Sequence, residues 1–262
     1  MSDWYHEVDP LWLEARKSVI TATEIKSLVP EYNRAKKKGT LGDILPGFAA
    51  LWAEKSSNTM LDVVSRGAAA RGHVMEPYAV GYYNKYSDIT MYHWDDSIIV
   101  NNGMGFSADA LDIPWEGFIK LTVKGNELQG PLLDGKQRLG PKHGVEVKSY
   151  EPAHHMKCCL KKKMEHDELM QLAVAFIVCP TLETMTLLFF CPGAPIPMHM
   201  EEYTREELKE LIEEAQEINK IYYEIAGKLA KMQSKYVVEE TELDIWRETY
   251  HPDAISEFTI TR

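Results

Sequence analysis

The chain has 262 residues, 45% hydrophobic and 26% charged, the balance of a globular protein with a sizeable core, which excludes a disordered or fibrous chain. No apolar run is long enough for a transmembrane helix, and the polar, acidic N-terminus lacks the basic and apolar regions of a secretory signal. The net charge of −11 argues against general nucleic-acid affinity.

That charge is uneven. Residues 200–262 hold 16 acidic and 8 basic side chains, whereas the first 199 residues hold 24 and 21. Two basic clusters, Arg34 to Lys38 and Lys161, Lys162 and Lys163, lie in the nearly balanced part. A local positive surface is compatible with that distribution. The cysteines Cys158, Cys159, Cys179 and Cys191 form no CxxC, so free thiols in a reducing, cytoplasmic setting are expected.

From Leu11 to Leu28 the apolar spacing predicts a helix interrupted near Thr21 and Thr23, either of which can cap a new helix. Asp43 to Lys55 predicts a loop and short helix. Leu61 to Tyr86 predicts a helix broken or restarted at Pro77, which puts Glu76 at a helix start or kink. Ser97 to Asn101, Gly103 to Ala108 and Gly144 to Ser149 predict strands. Glu168 to Val178 predicts a buried helix, and Thr184 to Cys191 a strand buried on both faces. Thr204 and Glu207 form a capping-box pattern. Beyond it, Leu208, Leu211, Ala215, Ile218, Tyr222, Ile225, Leu229 and Met232 recur at helical spacing, predicting a long amphipathic helix.

The chemistry concentrates at three places. Glu146 and Lys148 are two apart on a strand, so they share one face while Val145 and Val147 take the other. A carboxylate beside an ammonium suits metal-dependent phosphodiester hydrolysis: the acid holds a divalent cation and the lysine acts on the attacking water. Alone, such a pair is most often an exposed strand face. Asp109 ends an apolar run, with Asp112 a competitor three residues on. Glu76 lies just before Pro77 and, alone, reads as a surface helix carboxylate.

Together these features have the order of the PD-(D/E)xK nucleases, and the chain resembles the phage lambda exonuclease and YqaJ-like viral recombinase family. Trp12 to Thr23 looks like its W-x-x-x-R-x-x-x-I-T-A-S motif. Gly72 to Ala79 looks like its G-x-x-x-E-P-x-A helix, Ser107 to Leu111 like S-x-D-G-L, and Glu146-Val147-Lys148 like E-x-K. Gln171 falls where that family places a glutamine. Thr23 stands for the usual serine, and Ala110 for the usual glycine, which implies a tighter or shifted turn there.

The resemblance implies an α/β fold of the α+β type: a restriction-endonuclease-like core with a small mixed central sheet, flanking helices and a long C-terminal helix. It implies one nuclease domain over residues 1–262, with an inserted loop at about 124–141 and an acidic helical extension at about 201–262. Asp109, Glu146 and the Val147 carbonyl would hold Mg2+ or Mn2+. Glu76 would support the ion directly or through water, Lys148 would orient the water, and Gln171 would position Lys148 or that water. Arg16 and Thr23 would bind the 5′ phosphate of the digested strand. Lys161, Lys162 and Lys163 would meet DNA backbone. The implied activity is a metal-dependent, phage-type 5′→3′ exonuclease on linear duplex DNA, producing single-stranded tails for recombination in the host cytoplasm. The implied partners are DNA ends, copies of the chain in a trimeric ring, and a single-strand annealing protein.

Two alternatives stand beside it: a non-catalytic DNA-end-binding module of the same fold, and an endonuclease of the same superfamily. His143, His154, His155 and His199 show no zinc spacing, and the cysteines no iron–sulfur spacing.

Overall fold

The computed structural model describes residues 5–7, 9–57, 64–114, 119–133, 136–161 and 164–235. The chain divides into two compact units. The larger, Met1–Ser27 with Asp62–Asn219, contains every described strand. The smaller comprises Leu28–Leu61 and Lys220–Arg262.

The elements follow from local chemistry. Strand β1 (Tyr5–Glu7) precedes helix α1 (Pro10–Lys17), whose first turn is set by Pro10 and by the Asp9 carboxylate accepting the Leu11 N–H at 2.7 Å. The predicted interruption is a two-residue strand, β2 (Ile20–Thr21), after which α2 (Ala22–Lys38) begins. In the smaller unit, α3 (Pro46–Ser56) buries Phe48, and the Gly47 N–H donates to Glu31 at 2.7 Å.

After β3 (Val64–Arg66), helix α4 (Gly67–Tyr83) runs through Pro77 without a break. Glu76 therefore sits within a helix, not at its start. An interior proline costs about 3 kcal/mol. Burial of Ala79, Val80 and Tyr83 on the inward face offsets this, against Ala110, Val145, Val147, Leu188 and Phe190. Glu76 shares that face at helical spacing, so it enters the protein at the edge of the core.

Strands β4 (Tyr92–His93), β5 (Ser97–Asn101), β6 (Met104–Phe106) and β7 (Ala110–Leu111) follow, then β8 (Ile119–Lys124), β9 (Glu127–Leu133), β10 (Lys136–Leu139) and β11 (His143–Lys148). One sheet has the order β10-β9-β8-β5-β6-β2. At Gly105 a Cβ would sit 2.6 Å from Val19, a close approach that lets β2 pair with β6. The chain bends at Asp109, and Ala110 is fully buried as the first residue of β7, where it pairs with Val145 of β11.

The C-terminal half supplies α5 (Pro152–Cys159), α6 (His166–Val178), β12 (Thr184–Phe190), β13 (Met198–Thr204) and α7 (Lys209–Gln233). The second sheet has the order β13-β12-β11-β7-β4, with β11 and β12 parallel and the remaining pairs antiparallel. β12 is buried along nearly its whole length, as its apolar run requires of a strand with neighbours on both sides. Each large apolar side chain there contributes about 1.5–3 kcal/mol. β13 has no counterpart in the sequence reading. Its polar edge-strand residues Glu201 and Glu202 hide its period. Thr204 and Glu207 do bond reciprocally, but they close β13 and the helix begins at Lys209. The mixed α/β class and the long helix α7 agree with expectation.

Candidate active site

All groups of the site lie in the larger unit: Asp109 at the bend just before β7, Glu146 and Lys148 on β11, Glu76 on α4 and Gln171 on α6. The register Val145 opposite Ala110, continued by one residue, brings Asp109 opposite Glu146. Cross-strand neighbours have Cβ atoms about 5 Å apart. The Asp109 carbonyl accepts the Trp94 N–H at 2.9 Å, and its Oδ2 accepts the Val147 N–H at 2.6 Å. The carboxylate thus replaces a backbone acceptor where the β7 ladder ends.

Lys148 projects on the Glu146 side of β11, as the period of two requires. Its Nζ donates to Glu146 Oε1 at 2.6 Å and to Gln171 Oε1 at 2.8 Å. Gln171 is the half-buried polar residue in the otherwise apolar stretch of α6 from Leu169 to Val178. A buried amide needs a partner, and Lys148 is that partner.

The electrostatics are those of crowded charges. Burial, then Glu146 and Glu76, push the Asp109 carboxyl well above its usual range, against Lys148 and the Val147 N–H. Burial alone would lower Lys148, but Glu146 and Asp109 outweigh it and keep the side chain an ammonium. Burial likewise works against the Glu76 carboxylate, yet His73 and His93 prevail and hold it at about 2. Their nitrogens lie 3.4 and 3.7 Å from its two oxygens, and the His93 separation is beyond hydrogen-bond reach. The sequence reading missed both histidines. His73 was legible, one helical turn before Glu76; His93 arrives from another strand with no local signal.

Arg16 is held at the end of α1, its guanidinium 4.4 Å over the Trp12 ring. Burial lowers its pKa, opposed by Glu24. Trp12 Nε1 donates to the Ser97 carbonyl and to Ser107 Oγ, both at 3.1 Å, which ties α1 to the segment leading to Asp109. Arg16 donates to Thr21 Oγ1 at 3.4 Å. Thr21 is the hydroxyl beside Arg16; Thr23 is exposed on the first turn of α2. The reason is that α2 starts at Ala22, with the Thr21 N–H held by Glu24 at 2.7 Å, as in one half of a capping box.

The remaining candidates are elsewhere. Asp112 accepts the Lys142 N–H and is not part of the cluster. Lys161 donates to Glu165 at 2.8 Å, and Lys162 and Lys163 lie outside the described residues. His143 lies 2.9 Å from Thr184 Oγ1, His155 2.7 Å from the Ile196 carbonyl oxygen, and the His154 ring packs tilted against Tyr150 with centroids 4.2 Å apart. All four cysteines are free thiols.

Among the described residues, no three His, Cys, Asp or Glu side chains converge as a self-contained metal cage. The site offers two crowded hard-oxygen carboxylates, with Glu76 engaged by its histidines. That donor set fits Mg2+ or Mn2+, because Mg2+ is usually bound through one or two carboxylates and retains waters.

The fold is similar to that of an alkaline exonuclease, LHK-Exo, from Laribacter hongkongensis. A crystal structure of LHK-Exo in complex with dAMP matches with a TM-score of 0.61 at 15% identity, covering 87% of this chain and 98% of that one. A second crystal structure of that exonuclease matches with a TM-score of 0.56 at 13% identity, covering 87% and 100%. No protein-family model and no curated protein matches the chain. Among the described residues, no helix is long and apolar enough to cross a membrane.

Proposed function

We propose that the chain is a metal-dependent DNA exonuclease of the lambda-exonuclease and YqaJ type, digesting linear duplex DNA 5′→3′. The observation that carries this reading is the convergence of Asp109, Glu146, Lys148 and Gln171 from three elements on one buried, charge-crowded point. The likeness to an alkaline exonuclease supports it. A metal ion bound here would supply Lewis acidity and an activated water.

In this reading Asp109 and Glu146 hold the ion, with the Val147 carbonyl as a further oxygen ligand. Glu76 lies within electrostatic reach of Asp109, and through water it steadies the same charge. Lys148 works as a cation rather than as a base. An ammonium has three N–H donors; two are used on Glu146 and Gln171, which aims the third toward a phosphate oxygen or the attacking water. Gln171 fixes that aim. Gln171→Ala is expected to lower the cleavage rate about tenfold to a hundredfold, the usual cost of losing a group that orients a catalytic one. Single-turnover kinetics at saturating Mg2+ check this, and an unchanged rate removes Gln171 from the mechanism.

Arg16, with the Thr21 hydroxyl and the backbone N–H groups at the start of α2, including that of Thr23, is the 5′-phosphate pocket. A guanidinium matches phosphate in two-point geometry, and helix N-termini favour anions. Arg16→Ala is expected to slow digestion of 5′-phosphorylated duplex at least tenfold and of 5′-hydroxyl duplex little, so the preference between them collapses. Equal slowing of both assigns Arg16 a structural role only.

Trimeric assembly and action beside a single-strand annealing protein belong to the same proposal. The direct test of the whole is Mg2+-dependent digestion of linear 5′-phosphate, linear 5′-hydroxyl and circular duplex. Loss of the linear forms alone supports an exonuclease; cutting of circles supports an endonuclease.

A further inference from the structure

The segment between Asp109 and Glu146 has chemistry that the cluster around Lys148 leaves unused. β8 and β9 pair with Thr122 opposite Gln129 and Lys124 opposite Glu127. Leu121 and Leu128 are buried on one face of this ribbon, whereas Lys120, Thr122, Lys124 and Gln129 are exposed on the other. Residues 119–139 carry Lys120, Lys124, Lys136 and Arg138 against Glu127 and Asp134, a balance of +2 in a chain of −11. Among the described residues, neither Lys120 nor Lys124 forms an ion pair, even with Glu127 across the ribbon. Lys161 and Lys142, by contrast, are each held by a glutamate.

The placement of this face is equally specific. Lys120 Nζ donates to Ser18 Oγ at 2.8 Å. Ser18 caps the end of α1, two residues beyond Arg16. The cationic face therefore begins beside the end-reading pocket and runs away from it along β8. Alternate strand positions are roughly 6.6 Å apart, so Lys120 and Lys124 are roughly 13 Å apart. That separation is about the axial rise of four nucleotides of one strand.

We propose that the exposed face of β8 and β9 is a phosphate-backbone track for duplex DNA, gripping the strand beside its 5′ end through Lys120 and Lys124, with Thr122 and Gln129 as neutral hydrogen-bond donors. It rests on the reading of the chain as a duplex nuclease and adds a part to it. The occupant is nucleic-acid backbone because the face is polar and carries two exposed lysines outside any ion pair among the described residues, beside the single acid Glu127, in an acidic protein. An apolar protein partner would find nothing there to bury.

The test is the salt dependence of binding to a 5′-phosphorylated linear duplex, read by fluorescence anisotropy without divalent metal so that no strand is cut. Each lost phosphate contact lowers the slope of log affinity against log salt by roughly 0.9. The double variant Lys120→Gln/Lys124→Gln is expected to lower it by roughly two and to bind more weakly at low salt. Lys120→Arg/Lys124→Arg keeps the wild-type slope, which separates charge from folding. Lys220→Gln, at a lysine paired with Glu224, leaves it unchanged. A wild-type slope in the double glutamine variant overturns the proposal, as does an equal drop in the Lys220 variant. Cleavage is measured separately. A wild-type chain that binds duplex but does not cut it defeats the nuclease reading, while the slopes still decide the track.

Discussion

Lys148→Ala is expected to abolish cleavage while leaving metal binding and DNA binding largely intact. The ammonium is buried, is kept charged by Glu146 and Asp109, and is aimed by two short hydrogen bonds. It contributes no ligand to the cation. Its work lies on the charge that develops as the phosphodiester is attacked, where losing one pre-aimed donor typically costs about 100- to 1,000-fold in rate. The substitution frees Glu146 and Gln171 without touching the Val147 N–H that holds the Asp109 carboxylate, so a catalytic loss is separable from misfolding. Single-turnover kinetics beside an anisotropy titration read the two quantities independently. Turnover within a few-fold of wild type would remove Lys148 from the chemistry.

Asp109→Ala and Glu146→Ala are each expected to eliminate measurable Mg2+ or Mn2+ binding, and activity with it. Hard cations need anionic oxygen ligands, and these two carboxylates, electrostatically coupled where β7 meets β11, supply the anionic part. Burial together with Glu146 and Glu76 destabilises the charge of Asp109. A bound cation removes that cost, so deleting either acid weakens binding by more than one lost ligand alone. Asp109→Ala also strips the Val147 N–H of its acceptor. Asp109→Asn tests the metal with that hydrogen-bonding position still filled by an amide. Calorimetric titrations unchanged in both alanine variants would place the ion elsewhere.

How much of this was legible in the sequence differs by element. α6 and β12 were readable because each is a dense apolar run, broken in α6 only by Gln171 after Leu169, and their burial follows from it. The Glu146–Lys148 pair was readable because a strand has a fixed period of two. β4 and β7 were not readable: two-residue strands have no period, and only their neighbours define them. Helix α4 was misread at Pro77, since local rules end a helix there. The core contacts of Ala79, Val80 and Tyr83 carry it through. The hydroxyl beside Arg16 was assigned to Thr23, although the helix start that selects Thr21 depends on β2 pairing with β6.

The sequence by itself determined the apolar faces, the strand period that sets Glu146 and Lys148 side by side, the polar break in a buried helix at Gln171, and the one-turn spacing of His73 and Glu76. Those are short-range facts, set by side chains a few residues apart on elements of known geometry. Only the tertiary structure decided that Asp109 lies opposite Glu146, that Gln171 closes on Lys148, that His93 reaches Glu76, and that Lys120 meets the end of α1. Each of those joins residues far apart in the chain. Such pairings depend on sheet register and on which helix covers which face, and the packing of the whole core selects both.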